Sequence, residues 1–272
     1  MYGYNQTTGL LIAKNIHRQL SRDLYQADNY VYPIALVTLP DGRESVIHCP
    51  KNYDRLEIET LGGKLLTEDP HHKRNPGDFF HSRLQVSPSG KYLLDAGWVW
   101  HPANEVLVFD ITKALEDPTH LDSEGLGIVP VNSEVESASF LNDELAVIYA
   151  RKKGEDFGSN DSSLLQSGEV GIYSISDNSW ISKIQVEAKI GVMIPLSTEV
   201  VLGLYEYPKL IELNSGRVLQ EWRNIKSGDE QSSYGSGETP PHAYDPITKL
   251  FAIAQNEENK IVVIDFSEGV GK

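Results

Sequence analysis

One structural unit recurs five times along this chain, and that recurrence restricts the possible folds more than any other feature of the sequence. Each copy begins with an apolar strand, turns tightly, continues with a second apolar strand, crosses a variable loop and ends in a third strand of the form apolar-apolar-aromatic-acid or similar. The copies read IALVTLPDGRESVIHC then RLEIETL; RLQVSPSGKYLLDAG then EVLVFDI; SASFLNDELAVIYA then EVGIYSI; GVMIPLSTEVVLGLY then KLIELNS; and AYDPITKLFAIAQ then KIVVIDF. Their first turns centre near Gly42, Gly90, Asp143, Thr198 and Thr248, so successive steps are 48, 53, 55 and 50 residues. A fixed period of this size marks an architecture built by stacking one unit against the next.

Gly, Asn, Asp or Pro in these turns supplies the positive or preset φ that a tight hairpin requires. The runs GGKLLT, NSWISKIQVE and SGRVLQEW supply a fourth strand after the third in three of the units. Four antiparallel strands in about fifty residues, repeated radially, describe propeller blades. The expected fold is therefore all-β: a single domain forming a five-bladed β-propeller of four-stranded antiparallel blades, with units at 30–67, 82–131, 136–187, 189–223 and 241–268. The last unit has no fourth strand of its own, whereas TGLLIAKN precedes the first unit. An amino-terminal strand at 8–15 is expected to complete the last blade and so remove the exposed sheet edges.

Composition suits a packed core, with 40% hydrophobic and 23% charged residues. The opening MYGYNQTTGLLIAKN lacks a basic start, a long apolar run and a small-residue cleavage pattern, which predicts a cytoplasmic chain that meets no membrane. The formal net charge of −15 opposes the phosphate neutralisation on which nucleic-acid affinity depends, so nucleic acid is excluded as a partner and a basic one is favoured. The lone cysteine, Cys49, rules out an internal disulfide and reads as a small buried thiol at the end of a strand.

Sorting connections by face places the short turns between strands one and two at one end of the blades. The long connections TEDPHHKRNPGDFFHS, RKKGEDFGSNDSSLLQSG and RNIKSGDEQSSYGSGETPPH, with the shorter WVWHPAN, fall at the other. Loops of that size carry function more often than stability, so this second face is the expected binding surface. The insertion DITKALEDPTHLDSEGLG is assigned to the opposite face, with a short helical turn at ITKALED.

The densest group of candidate residues is in the second unit, where Asp78, Phe79, Phe80 and His81 enter and Asp95, Trp98, Trp100 and His101 follow. Phe79, Phe80, His81, Asp95, Trp98, Trp100, His101 and Tyr205 are the expected binding residues, their rings offering an aromatic platform or hot spot. The alternation of Trp98 and Trp100 places one ring between blades and the other partly outside. His71, His72, His81 and His101 show no metal-ligand spacing, and no HExxH, GxSxG, GxxxxGK[ST] or GxGxxG pattern occurs, so neither metal nor cofactor is expected.

The stretch DFFHSRLQVSPSGKYLLDAGWVWHP resembles a signature of bacterial propellers, and the repeat as a whole resembles the broad WD-repeat-like propeller superfamily, with VFDI and VIDF the nearest matches to Trp-Asp strand endings. The resemblance implies a fold and leaves function open, because propellers host both binding modules and enzymes. The favoured expectation is a monomeric, non-enzymatic protein-binding module for a basic partner, such as an immunity-type protein covering a cationic toxin or effector. The alternative is a small-molecule or carbohydrate hydrolase at the mouth of the central channel, with Asp78, Asp95, Glu136 and Glu206 supplying the paired carboxylates that such chemistry needs.

Overall fold

A computed structural model describes residues 2–4, 11–14, 20, 23–27, 30–68, 73–99, 103–122, 124–152, 159, 161–228, 239–255, 257 and 259–267. At the amino terminus, β1 (Tyr2–Tyr4) and β2 (Leu11–Lys14) pair with each other. Five antiparallel sheets follow in chain order. The first holds β3 (Ile34–Thr38), β4 (Glu44–His48) and β5 (Glu57–Thr60). The second holds β6 (Gln85–Val86), β7 (Tyr92–Asp95) and β10 (Leu107–Asp110), with the small hairpin of β8 (Trp98–Val99) and β9 (Ala103–Asn104) between them in sequence.

After β10 the chain enters the short helix α1 (Ile111–Glu116), capped by the Asp110 side chain, and a 3-10 turn at Pro118–Leu121. The third sheet holds β11 (Val135–Phe140), β12 (Leu145–Ala150), β13 (Glu169–Ser174) and β14 (Ser179–Gln185). The fourth holds β15 (Met193–Pro195), β16 (Val200–Gly203), β17 (Lys209–Glu212) and β18 (Val218–Glu221). The fifth holds β19 (His242–Asp245), β20 (Leu250–Gln255) and β21 (Lys260–Asp265).

The expected five-bladed propeller of four-stranded blades is therefore not what the chain forms. Among the described residues only the third and fourth sheets have four strands, the first, second and fifth have three, and none is closed. The amino-terminal strand does not complete the last sheet: β2, which falls within 8–15, aligns Lys14 with Tyr2 and Ala13 with Gly3 of β1, while β21 pairs with β20.

Local chemistry accounts for the lost strands. After β5 the run GGKLLT curls back tightly, Gly63 taking φ 91° and donating to Thr60 O, and it leaves a single bridge from Glu59 to Leu65. The Thr67 hydroxyl then accepts from Ile58 N at 3.0 Å, taking a bond that a strand partner would make. In the second sheet, the described residues after α1 pair with β10 only through isolated bridges at Gly125 and Ile128, because Gly125 and Gly127 both adopt positive φ.

Period-two burial drives the packing that remains. In β3, Ala35 and Val37 point into the core while Ile34 and Leu36 point out. Four apolar clusters join the sheets in succession. Ile47, Ile58 and Leu93 belong to the one between sheets one and two; Leu94, Val108 and Ile148 to the next; Tyr149, Val201 and Ile211 to the third; and Leu202, Phe251 and Ile253 to the fourth. Among the described residues no cluster joins the fifth sheet to the first, and Leu36, Ile261 and Val263 remain 58%, 71% and 56% exposed on those two sheets. No helix is long and apolar enough to cross a membrane.

Candidate functional site

The segment that enters the second sheet is pinned by aromatic stacking. Phe80 and Trp98 form a two-residue antiparallel bridge, and the Phe80 ring is stacked on Trp98 at 4.0 Å and on Tyr53 at 4.3 Å between centroids. Tyr30 meets Phe80 edge-on at 5.7 Å. Gly97 is required where the strands meet, since a Cβ there would lie 2.3 Å from Phe80 O and 2.4 Å from the Phe79 ring. The Tyr53 hydroxyl donates to Asp78 Oδ1 at 2.7 Å, and burial followed by this carboxylate pushes the phenol well above its ordinary pKa.

Beside this stack His81 is buried between two oxygen acceptors. Its Nδ1 forms a hydrogen bond with Asp95 Oδ2, and its Nε2 donates to the Asp54 carbonyl at 3.1 Å. The second oxygen of Asp95 accepts from Ser82 N at 3.0 Å, so the carboxylate orients both the imidazole and the backbone that carries it. Asp95 is completely buried.

His81 and Phe79 form part of the wall of a cavity of about 330 Å³. Among the described residues five carboxylates line it: Asp54 from the connection between β4 and β5, Asp78 from the entering segment, Glu105 from the turn before β10, and Asp122 and Glu124 from the segment after α1. Burial raises the pKa of Asp54, and burial followed by the neighbouring Glu124 raises that of Glu105. Among the described residues, the buried Asp54 Oδ1 has no hydrogen-bond partner. Asp122 is the anchored member, accepting from Arg74 Nε at 2.6 Å and from Asn75 N at 2.7 Å. Arg74 also donates to Leu56 O at 3.0 Å and lies 3.5 Å from the buried Glu57 carboxylate. Among the described residues no Lys or Arg lines the cavity itself.

Such a lining attracts a cation or hydrogen-bond donors, and its two raised carboxyls can hold protons. Among the described residues no three His, Cys, Asp or Glu side chains converge on a point that could hold a metal ion.

The expected binding residues divide into distinct groups. Phe79, His81, Phe80, Trp98 and Asp95 come together, but Phe80 is fully buried and Trp98 only 4% exposed, so they form the backing of the site. Trp100 and His101, like His71 and His72, lie outside the described residues. Tyr205 belongs to another cluster on the fourth sheet, where Lys189 and Lys209 lie over its ring at 5.0 and 5.3 Å. Asp78 reaches the cavity, whereas Asp95 sits behind His81, Glu136 is buried beside Arg83, and Glu206 is exposed next to Tyr205. Those four candidate carboxylates do not converge.

Sequence reasoning missed Asp54, Glu105, Asp122 and Glu124. The last two come from DITKALEDPTHLDSEGLG, which was assigned to the opposite face; α1 forms where its helical turn was expected, yet Leu121, Asp122 and Glu124 line the same cavity as His81. The signal present was the apolar spacing of Ile111, Ala114 and Leu121, all buried in the first core cluster, which docks the insertion onto the body.

No protein-family model and no curated protein matches this chain. Among solved structures it is similar to hydrazine synthase of Kuenenia stuttgartiensis, with a TM-score of 0.53 and 12% identity over 98% of this chain and 67% of that one. A computationally designed protein, Ika8, gives a TM-score of 0.46 and 13% identity over 85% of this chain and 58% of that one. The likeness to hydrazine synthase is one of fold alone.

Proposed function

We propose that this chain is a non-enzymatic binding module for a basic protein partner, and that it receives a lysine or arginine side chain of that partner in the cavity lined by Asp54, Glu105 and Glu124. The observation that carries this reading is the cavity's composition: among the described residues its wall has five carboxylates, one histidine already paired with Asp95, and no lysine or arginine. A cationic group entering would supply a donor to Asp54 Oδ1 and would favour the ionised forms of Asp54 and Glu105. The net charge of −15 would steer such a partner from a distance. In its most concrete form the role is immunity-like, the neutralisation of a cationic toxin or effector.

Calorimetric titration with short lysine- or arginine-containing peptides tests this reading. The comparison is between wild type, the triple variant Asp54→Asn/Glu105→Gln/Glu124→Gln, and a charge-matched triple Asp41→Asn/Glu199→Gln/Glu257→Gln on the exposed surface. Affinity should fall at least tenfold in the cavity variant, weaken with added salt in the wild type, and change little in the surface variant. Equal losses in both variants would mean that only net charge is being sensed, and the proposal would be wrong.

A second reading rests on one specific feature of the same cavity. Two carboxyls with raised pKa in a cavity with three further acidic side chains resemble the acid and base pair of a carbohydrate hydrolase. It requires turnover of a nitrophenyl glycoside that disappears in Glu105→Gln or Asp54→Asn, and a protein inert across a panel of such glycosides would dismiss it.

A further inference from the structure

A second cavity has the opposite chemistry. It measures about 600 Å³, within the range of small-molecule sites, and lies among the first strands of four successive sheets: β6, β11, β15 and β19. Phe140, Met193, Ile194, Leu196 and Tyr244 give it an apolar wall, and Gln85, Ser139, Ser197, His242 and Lys249 supply its polar groups. Among the described residues no Asp or Glu lines it, although the chain has 39 acidic residues against 24 basic ones.

His242 already gives its Nδ1 proton to Pro240 O at 2.9 Å, and the donors that remain for a ligand are Ser197 and Lys249. Ser197 Oγ accepts from Glu199 N and Val200 N, both at 3.1 Å, which leaves its own proton to give. Ser139 and Gln85 satisfy each other, the hydroxyl donating to Gln85 Oε1 at 2.9 Å. Lys249 stands at the end of the β19–β20 turn with φ 56°, and among the described residues no carboxylate pairs with it. Asp245, four residues earlier, instead accepts from Ile247 N at 2.9 Å and Thr248 Oγ1 at 2.7 Å within the turn. The turn thus holds Lys249 at the rim while occupying the nearby acid.

We infer that this cavity binds a small monocarboxylate with an apolar or aromatic body, the carboxylate facing Lys249 and Ser197 and the body lying against Ile194, Leu196 and Tyr244. One ammonium matches one negative charge, so a phosphate dianion would be left half-compensated, and the apolar wall gives a purely polar anion nothing to bury. The site is chemically separate from the acidic cavity and does not depend on what binds there.

Isothermal titration with naphthalene-1-acetate and with the uncharged naphthalene-1-acetamide tests the assignment. The acid should bind saturably with one site and at least tenfold more tightly than the amide. Lys249→Asn, a residue that tolerates the same left-handed backbone, should weaken the acid at least tenfold and leave the amide unchanged. Lys249→Arg should retain the preference, and Leu196→Trp should abolish binding of both compounds by filling the apolar part. Lys64→Gln on the exposed turn after β5 serves as the control for bulk charge, with circular dichroism confirming that every variant is folded. No saturable binding of the acid, equal binding of acid and amide, an unchanged Lys249→Asn, or an equal loss in Lys64→Gln would each overturn the inference.

Discussion

Phe80 and Trp98 lie face to face, their ring centroids 4.0 Å apart and their planes 6° from parallel, while their backbones exchange both hydrogen bonds, Phe80 N to Trp98 O at 2.9 Å and Trp98 N to Phe80 O at 3.1 Å. Residues that the sequence offers as a binding platform are thereby committed to the interior. What they present to solvent is the wall behind them, where His81 and five carboxylates gather.

Truncating this stack should cost stability directly. Trp98→Ala removes one side of a sandwich whose other side is Tyr53, and should destabilise the chain by about 3–5 kcal/mol in urea unfolding. Trp98→Phe keeps a stacked ring and should lose much less. If Trp98→Ala unfolds at the wild-type urea concentration, the stack is not structural.

Gly97→Ala tests the close approach beside the stack. The added methyl would overlap Phe80 O and the Phe79 ring, and backbone cannot yield as a flexible side chain would. The expected cost is about 1–3 kcal/mol. Gly77→Ala meets nothing within 4 Å and, like Gly97→Ala, sits at a backbone without positive φ, so the steric part is read from the difference between the two.

Asp95→Asn should be more damaging than its near-identical shape suggests. The carboxylate holds His81 Nδ1 and Ser82 N in a fully buried position, and an amide can serve one of these donors only by turning its own donor toward the other. Breaking a buried pair costs about 3–5 kcal/mol. Peptide binding to the refolded variant should also fall, because His81 then loses its fixed place in the cavity wall. A variant as stable as wild type would mean that the pair contributes nothing.

The repeat was readable because each unit encloses its own hairpin turn, and Gly42 and Gly90 do take the positive φ that those turns need. Strand number was not readable, since it depends on whether a fourth segment finds ladder partners. In GGKLLT the Thr67 side chain takes a backbone bond instead, an event that no hydrophobic pattern records. The cavity was half readable: Phe79, His81 and Asp78 sit in one segment, but Asp54, Glu105 and Glu124 arrive from three places that only tertiary packing brings together. That Phe80 and Trp98 stack on each other in the interior was not readable, because aromatic residues beside a loop look alike in sequence whether they face solvent or each other.

Glu105 links this geometry to pH. Its carboxyl is raised above the ordinary 4.5, first by burial and then by Glu124, so the folded state binds this proton more tightly than the unfolded chain does. Its contribution to stability is therefore complete below pH 4.5 and is lost as pH rises through the higher folded value. Glu105→Gln cannot titrate, so its melting temperature relative to wild type should climb across that window and then level off. A difference that is flat or falls with pH would contradict the raised carboxyl. The same proton connects stability to binding, because a cation entering the cavity favours the ionised form. Peptide binding within the window should consequently release protons, seen as a calorimetric enthalpy that varies with the ionisation enthalpy of the buffer, and Glu105→Gln should reduce that release.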